Sequence, residues 1–359
     1  MSTVSGIDPL FEKISEISAI KGQETKSIFV PAIPPITSRI GRLLNKFPKL
    51  TGQHDAYDLK DAPAPGIEPR QNSIAGKVLS AARQMPQALI LLSAAESQYS
   101  SHYLMAPSSI RERIVLTMHQ PVAYHRLLWS NVAALDGLRA IVCLSIDQEE
   151  YFKSITATRV IRIPLGVSHN FFQPDPEYTR ESDMRLLFVG QWFRDFETLE
   201  KSFSLLKNAC PSIKLDCVIP QSALRAGSLM KLAQNESVQW HTNISAQKLL
   251  ELYRNCTIVF IPLLDAAANC AILEAFACGK PVISTRVGGA QEYFSGRFGE
   301  LCEPGDAYSH FRALQCWLQN LKRCKSAGLE ARKYVEKTRT WDTIAIKMIE
   351  EIERETQPS

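Results

Sequence analysis

Apolar and polar positions alternate in two successive series along this chain of 359 residues. Short apolar runs of β-branched and other strand-forming residues predict buried strands, and the segments between them, with apolar residues every three or four positions, predict amphipathic helices. Strands are predicted at residues 27–30, 88–93, 113–118, 139–145 and 160–164, and again at 185–189, 214–218, 237–240, 257–261 and 282–285. Strands that alternate with helices in this way predict an α/β fold with two doubly wound parallel-sheet domains.

A connector rich in proline and charged residues, at 174–182, separates the two series. We therefore predict an N-terminal domain over residues 1–175 and a C-terminal domain over 176–342. A chain of this length is sufficient for two domains, each with its own hydrophobic core.

Composition narrows the class of protein. The chain is 45% hydrophobic and 22% charged, with a net charge of +4, which is ordinary for a globular protein and does not require nucleic acid as a partner. Its nine cysteines form no C-x-x-C pair and are predicted to be reduced thiols in a cytoplasmic protein.

There is no signal-peptide pattern and no apolar run of roughly 20 residues, so we expect a soluble or peripheral protein. No cluster of histidine and aspartate residues predicts a metal site.

The predicted helix at 37–47 has a basic face formed by Arg39, Arg42 and Lys46. One interpretation is an ordinary solvated surface. The other is a surface that contacts an anionic membrane or acceptor, because basic amphipathic helices bind such surfaces.

The stretch 258–292 combines a strand, a helix capped by Asn269, a second strand and the pair Gly288-Gly289. The first turn of that helix has unpaired backbone N–H groups at the positive end of the helix dipole, an arrangement that suits a diphosphate. Glu274 lies one turn further, where its carboxylate could accept both hydroxyls of a ribose. The alternative is an ordinary strand–helix–strand unit with Glu274 solvated on the helix surface.

Three segments resemble GT-B-fold retaining glycosyltransferases of the family 4, or group 1, type. They are EAFACGKPVI at 274–283, LGVSHNFFQP at 165–174 and FGELCEPGD at 298–306. The family's donor-binding motif has two glutamates separated by seven residues, but here Ala266 stands at the first position, with Asp265 beside it. The resemblance implies two Rossmann-like domains that face each other across a cleft, with the C-terminal helix 343–359 packed back on the N-terminal domain.

The resemblance also implies a reaction, namely sugar transfer from a UDP- or GDP-linked donor to an acceptor hydroxyl, with retention and without metal or cofactor. The implied catalytic residues are His119 near the sugar, Arg194 at the diphosphate and Glu274 at the ribose. The donor-binding residues are Gly190, Arg194, Asn269, Cys270, Ala271, Glu274, Gly288, Gly289 and Glu292. The acceptor, which could be a glycan, a lipid-linked molecule, a small molecule or a protein, is left open.

Two of these residues have simpler interpretations. His119 follows a predicted strand and would project into the crevice of a parallel sheet, but it could equally cap the strand or bind backbone. Arg194 would suit a phosphate through its guanidinium fork, but it could instead pair at the surface with Asp195 or Glu197.

Two rival functions also remain. Nucleotide-sugar epimerases share the fold, but they need several acid–base residues, of which the sequence offers few. A nucleotide-binding pseudoenzyme is the other, because Ala266 replaces the first motif glutamate and the paired lysine beside Arg194 is missing.

Overall fold

The computed structural model describes residues 13, 27–30, 74–93, 95–99, 101–128, 132–175, 184–221, 229–294 and 297–354. The predicted basic helix with Arg39, Arg42 and Lys46 lies outside the described residues. The described chain divides into two compact units. The first unit falls within 7–165 and 341–359, and the second unit spans 166–340.

The first unit is built on a parallel sheet of five strands that follow one another in chain order. They are β1 (Ser27–Val30), β2 (Leu89–Leu92), β3 (Ile114–Met118), β4 (Ala140–Cys143) and β5 (Val160–Arg162). The helices between them are α1 (Ile74–Gln84), α2 (Ala95–Gln98), α3 (Ser101–Leu104), α4 (Ser108–Arg111), α5 (Val122–Leu128) and α6 (Ile146–Ile155), with a 3-10 helix at Val132–Leu135. The whole of β3 and β4 is buried, as expected for strands covered on both faces.

The second unit is built on a parallel sheet of six strands. They are β6 (Arg185–Val189), β7 (Lys214–Val218), β8 (Val238–His241), β9 (Ile258–Ile261), β10 (Val282–Thr285) and β11 (Gly299–Cys302), in the spatial order β11-β10-β9-β6-β7-β8. The helices are α7 (Phe196–Ala209), α8 (Met230–Ala233), α9 (Ala246–Asn255), α10 (Cys270–Ala277), α11 (Ala307–Leu318) and α12 (Leu321–Thr338), with a 3-10 helix at Gly288–Tyr293. The strand order reverses between β6 and β9, so this sheet is doubly wound, as predicted. The described strands of the first sheet show no such reversal, which differs from the prediction that both sheets are doubly wound.

The last helix, α13 (Trp341–Glu353), belongs to the first unit. Arg139 Nη2 donates to the carbonyl of Ile352 at 3.1 Å, and Arg159 Nη1 donates to the carbonyl of Arg354 at 2.7 Å. The first unit is therefore assembled from two separate stretches of chain. The sequence predicts the corresponding junctions after residues 175 and 342, and in the structure they fall after residues 165 and 340.

A close glycine contact fixes the C-terminal end of α10. Gly279 ends this helix with φ of +68°, and a Cβ on Gly328 of α12 would lie only 1.9 Å from the Gly279 carbonyl oxygen. Only a glycine at 328 lets the two backbones approach so closely. Arg332 of α12 also stabilises this end, because its Nη1 donates hydrogen bonds to the carbonyls of Ala277 and His169 at 2.8 Å each. The C-terminal end of α10 is thus fixed by contacts with α12. The N-terminal end lies at the edge of the sheet where β9 ends.

Candidate functional site

The loops that follow β6 and β9 meet where the strand order of the second sheet reverses. Asp195 N donates to Pro262 O at 3.0 Å, and Leu264 N donates to Phe193 O at 2.9 Å. Open parallel sheets bind their ligands outside the carboxyl ends of the strands at this reversal point. The two loops therefore frame the candidate site of the second unit.

Arg194 lies at this point with its guanidinium folded back over the end of β6. Its Nε donates to Val189 O and its Nη1 to Trp192 O, both at 2.9 Å. No carboxylate among the described residues forms an ion pair with it. The surface pairing with Asp195 or Glu197 is therefore wrong: Asp195 accepts from Thr198 N at the start of α7, and Glu197 pairs with Lys201.

The half-buried position of Arg194 has an electrostatic cost. Burial lowers the pKa of Arg194 to about 10, while the ionisable groups of Tyr253, Cys270 and Glu274 act in the opposite direction. The guanidinium still carries its proton at neutral pH. A partly desolvated cation whose hydrogen bonds within the described part of the chain go to carbonyl oxygens favours an anionic ligand.

The N-terminus of α10 is capped as predicted. Asn269 is only 4% exposed, and its Oδ1 accepts from Ile272 N at 3.3 Å. Its own N–H donates to the hydroxyl of Tyr293 at 3.1 Å. Cys270 is half-buried, and among the described residues the Ala271 N–H has no acceptor. The first turn therefore retains a backbone donor that can bind an anion.

Glu274 is 3% exposed, so the interpretation that places it solvated on the helix surface is wrong. Its Oε2 accepts a hydrogen bond from the hydroxyl of Tyr253 in α9 at 2.8 Å. Its proximity to Arg194 is reflected in the charge interaction between the two side chains. Tyr253 is not predicted as a site residue, because its position on the apolar face of α9 predicts only a core residue.

The glycine pair adopts a 3-10 helix, Gly288–Tyr293, where an open loop was expected. Gly289 N donates to Ala266 O of the neighbouring loop at 2.7 Å, and its role in donor binding stays a prediction. A Cβ on Gly288 would lie 2.2 Å from the same carbonyl oxygen, so this glycine serves the close approach of two loops. Glu292 lies half-buried in the 3-10 helix.

Asp265 stands beside the alanine that replaces the first motif glutamate. Its Oδ1 accepts from Ala266 N at 2.8 Å. Ala266 itself is buried. One carboxylate oxygen of Asp265 thus holds the backbone of its own loop. That Asp265 substitutes for the missing glutamate stays a prediction.

His119 belongs to the first unit, where it follows the C-terminal end of β3 as predicted. It is half-buried, and its Nε2 hydrogen-bonds to the carbonyl of Ser93, which confirms the backbone-bonded alternative. The backbone N–H of His119 and that of Gln120 both donate to Oε1 of Glu96, a buried carboxylate in α2. Glu96 was not predicted, since nothing in its sequence neighbourhood indicates a partner at the end of another strand.

The described part of the chain holds no group of three or more histidine, cysteine, aspartate or glutamate side chains that could ligate a metal ion. None of its helices combines the length and the apolar character needed to cross a membrane. All nine cysteines are free thiols, as expected.

Residues 183–320 match the model of the family described as glycosyl transferases group 1. A D-inositol 3-phosphate glycosyltransferase from Arthrobacter sp. (strain FB24) is 33% identical over 127 residues, which cover 33% of this chain and 30% of the relative. Another, from Pseudarthrobacter chlorophenolicus, is 32% identical over 220 residues, which cover 56% of this chain and 52% of the relative. The chain therefore spans about half the length, or less, of these curated relatives.

Solved structures resemble the chain over most of its length. A sucrose-phosphate synthase from Thermosynechococcus elongatus aligns with a TM-score of 0.67 and 18% identity, covering 96% of this chain and 92% of that one. A glycosyltransferase from Rickettsia africae gives a TM-score of 0.67 and 17% identity, covering 100% and 97%. Anabaena HepE in complex with UDP gives 0.64 and 16% identity, covering 77% and 81%. At these identities the likeness shows the fold, and it confirms the predicted GT-B fold.

Proposed function

We propose that this chain, whose resemblance to glycosyl transferases group 1 is confirmed by the match over residues 183–320, transfers a glycosyl group from a nucleotide sugar to an acceptor hydroxyl. The two relatives at 33% and 32% identity carry the name of a glycosyltransferase, which supports this reaction class. The complex of the HepE neighbour with UDP supports a nucleotide-linked donor. We propose further that the donor is UDP- or GDP-linked, that transfer retains the anomeric configuration, and that no metal is required.

The observation that carries the proposal is the pairing of a cation with a helix N-terminus at the reversal point of the second sheet. Among the described residues, the hydrogen bonds of the Arg194 guanidinium go to carbonyl oxygens, and Arg194 lies near enough to Cys270, in the first turn of α10, to interact with it electrostatically. Breaking the bond between the anomeric carbon and the diphosphate leaves negative charge on the departing oxygens. A guanidinium and backbone N–H groups fixed beside those oxygens stabilise the transition state more than the ground state, which lowers the barrier.

Glu274 is proposed to accept the ribose hydroxyls of the donor. Its carboxylate is already oriented by Tyr253, and its negative charge is balanced in part by nearby Arg194. Gly190 lets the Arg194 guanidinium pack against the end of β6. In the same proposal His119 contacts the sugar, and Glu292 lines the donor pocket.

A pseudoenzyme that binds nucleotides without transferring sugar is the second candidate. It is favoured by Ala266, which offers a methyl group where the family motif has its first glutamate. Neighbouring Asp265 uses one carboxylate oxygen on the Ala266 N–H. This candidate keeps the nucleotide-binding role of Arg194 and Glu274 but lacks the contact that the first glutamate would make.

A donor assay separates these functions. The purified chain is incubated with UDP-sugars and GDP-sugars, with and without EDTA, and slow hydrolysis of the donor is followed. Hydrolysis that persists in EDTA is the expected result. Nucleotide binding without hydrolysis would favour the pseudoenzyme, and epimerised donor would favour the epimerase. Unchanged thermal stability with every nucleotide would contradict both donor transfer and nucleotide binding, because a bound ligand at about 100 times its Kd adds roughly 2.7 kcal/mol.

The compartment is also a proposal. Nine cysteines that form no disulfide fit a reducing environment, so we propose the cytoplasm. Peripheral membrane contact through Arg39, Arg42 and Lys46 stays a prediction.

A further inference from the structure

Tyr253 makes a contact that no sequence motif assigns. It lies in α9, fully buried, and its hydroxyl donates to Glu274 Oε2 at 2.8 Å, with the carbonyl of Ala271 as a longer partner at 3.3 Å. We infer that Tyr253 is a positioning residue that fixes the Glu274 carboxylate for the ribose, and thereby sets the preference of the site for ribonucleotides over deoxyribonucleotides. This inference rests on the proposed donor-binding role of Glu274.

Aromatic packing holds the phenol ring of Tyr253 in place. The ring of Phe172 meets the ring of Tyr253 edge-on, with centroids 5.8 Å apart. Burial raises the pKa of Tyr253 well above its usual value, and the charge of Glu274 raises it further. The hydroxyl therefore keeps its proton at neutral pH and can donate it to the carboxylate.

The consequence for Glu274 is geometric. A buried carboxylate that accepts a hydrogen bond from a fixed donor cannot rotate freely, so its remaining lone pairs have defined directions. Recognition of two vicinal hydroxyls depends on such directions, because a hydrogen bond weakens steeply when its angle is poor. Recognition of the diphosphate depends on Arg194 and the first turn of α10. Loss of the Tyr253 hydroxyl should thus affect ribose recognition selectively.

The test measures a ratio of affinities. Wild type, Tyr253→Phe, Glu274→Gln and the double variant are titrated by calorimetry with UDP, GDP and their 2′-deoxy counterparts. We expect wild type to bind the ribonucleotide about 10- to 100-fold more tightly than the deoxyribonucleotide, the range of a hydrogen bond to a charged group. Each single variant should bring the ratio close to one, and the double variant should lower it no further, because both changes remove the same interaction.

Tyr99→Phe is the matched control. The Tyr99 hydroxyl is also buried and donates to the carbonyl of Ala134 at 2.7 Å, but it belongs to the first unit. Its loss should lower thermal stability and leave the ribose preference at the wild-type ratio. If Tyr253→Phe fails to fold, Tyr253→Met, which also lacks the hydroxyl, gives the same readout.

Two results would overturn the inference, and they are distinguishable. Wild type that binds neither UDP nor GDP would remove the proposed function and this inference with it. Wild type that prefers the ribonucleotide, with Tyr253→Phe weakening both ligands equally and keeping the ratio, would leave the proposed function intact. Tyr253 would then be a structural residue only.

Discussion

The guanidinium of Arg194 lies against the α-carbon of Gly190, so that a Cβ there would stand 2.9 Å from Arg194 Nη2. The backbone of Gly190 also has φ of +92°, which side chains other than hydrogen rarely permit. A single glycine thus supports both the sharp turn after β6 and the resting position of the cation.

Replacing that glycine should displace the arginine. In Gly190→Ala we expect a loss of about 1 to 2 kcal/mol from the strained backbone, together with weaker nucleotide binding as the guanidinium moves. Calorimetric titration and thermal unfolding measure the two effects. Gly305→Ala is the control, because Gly305 has φ of +71° but no atom within 4 Å of its added Cβ, so only stability should fall. Unchanged nucleotide affinity in Gly190→Ala would contradict the proposed packing.

The charge and the fork of Arg194 can be tested separately. Arg194→Ala should lower turnover on the order of a hundredfold, because the leaving diphosphate loses a fixed donor. Arg194→Lys keeps the charge but not the bonds to the Val189 and Trp192 carbonyls. Its turnover should therefore lie between that of wild type and that of Arg194→Ala. Arg297→Ala, at a side chain 76% exposed, should match wild type. The measurement is the initial rate of donor hydrolysis for each variant. Full activity in Arg194→Ala would refute the proposal that Arg194 stabilises the leaving diphosphate.

A carboxylate at the cap of α10 should improve the helix and harm the ligand. Asn269→Asp keeps an oxygen for Ile272 N and places negative charge at a helix N-terminus, so we expect stability to be kept or to rise by about 0.3–1 kcal/mol. Nucleoside diphosphate binding should weaken through charge repulsion. Asn320→Asp makes the same change at the cap of α12, where Oδ1 accepts from Arg323 N, and should not alter nucleotide affinity. Equal affinities in both variants would argue against an anion at α10.

A buried histidine should make the second unit sensitive to acid. His310 is buried, with Nδ1 donating to Asp306 O at 2.7 Å and Nε2 3.1 Å from Thr285 Oγ1, whose oxygen in turn accepts from Leu263 N. Burial lowers the pKa of His310 below its usual 6.5, against the opposing effects of the Asp306 carbonyl and the charges of Asp195 and Asp306.

The sign follows from proton linkage. Below 6.5 the unfolded chain binds a proton at this position that the folded chain resists, so stability is full above that pH and falls as the pH is lowered through it. Urea unfolding midpoints at several pH values should show a weaker acid dependence in His310→Gln than in wild type. The same slope in both would mean that this side chain does not contribute to the acid sensitivity.

Much of the fold could be predicted because buried parallel strands are continuous apolar runs with polar residues at their ends. The bounds of β6, β7 and β10 agree with the prediction for this reason. The cap at Asn269 was also predictable, since it joins two residues only three positions apart. The 3-10 helix at Gly288–Tyr293 was not, because it depends on a carbonyl from another loop.

The missed site residues share one property. Tyr253 lies 21 positions from Glu274 in the chain, and Glu96 lies 23 positions from His119. Periodicity within a segment carries no information on which side chains of two different segments meet. Such contacts emerge only from the way the segments pack.

The composition of the first unit from two distant stretches has a consequence for biosynthesis. During translation, residues 7–165 leave the ribosome long before α13. The first unit therefore cannot be completed until the whole second unit has been synthesised and α13 has followed it. The described residues of the second unit, by contrast, all lie within one stretch of the chain, 166–340, and this stretch can fold as soon as it emerges. A circular permutant that opens the chain near residue 340 and joins the old termini would restore continuity to both, and it should shorten the period in which an unfinished sheet is exposed.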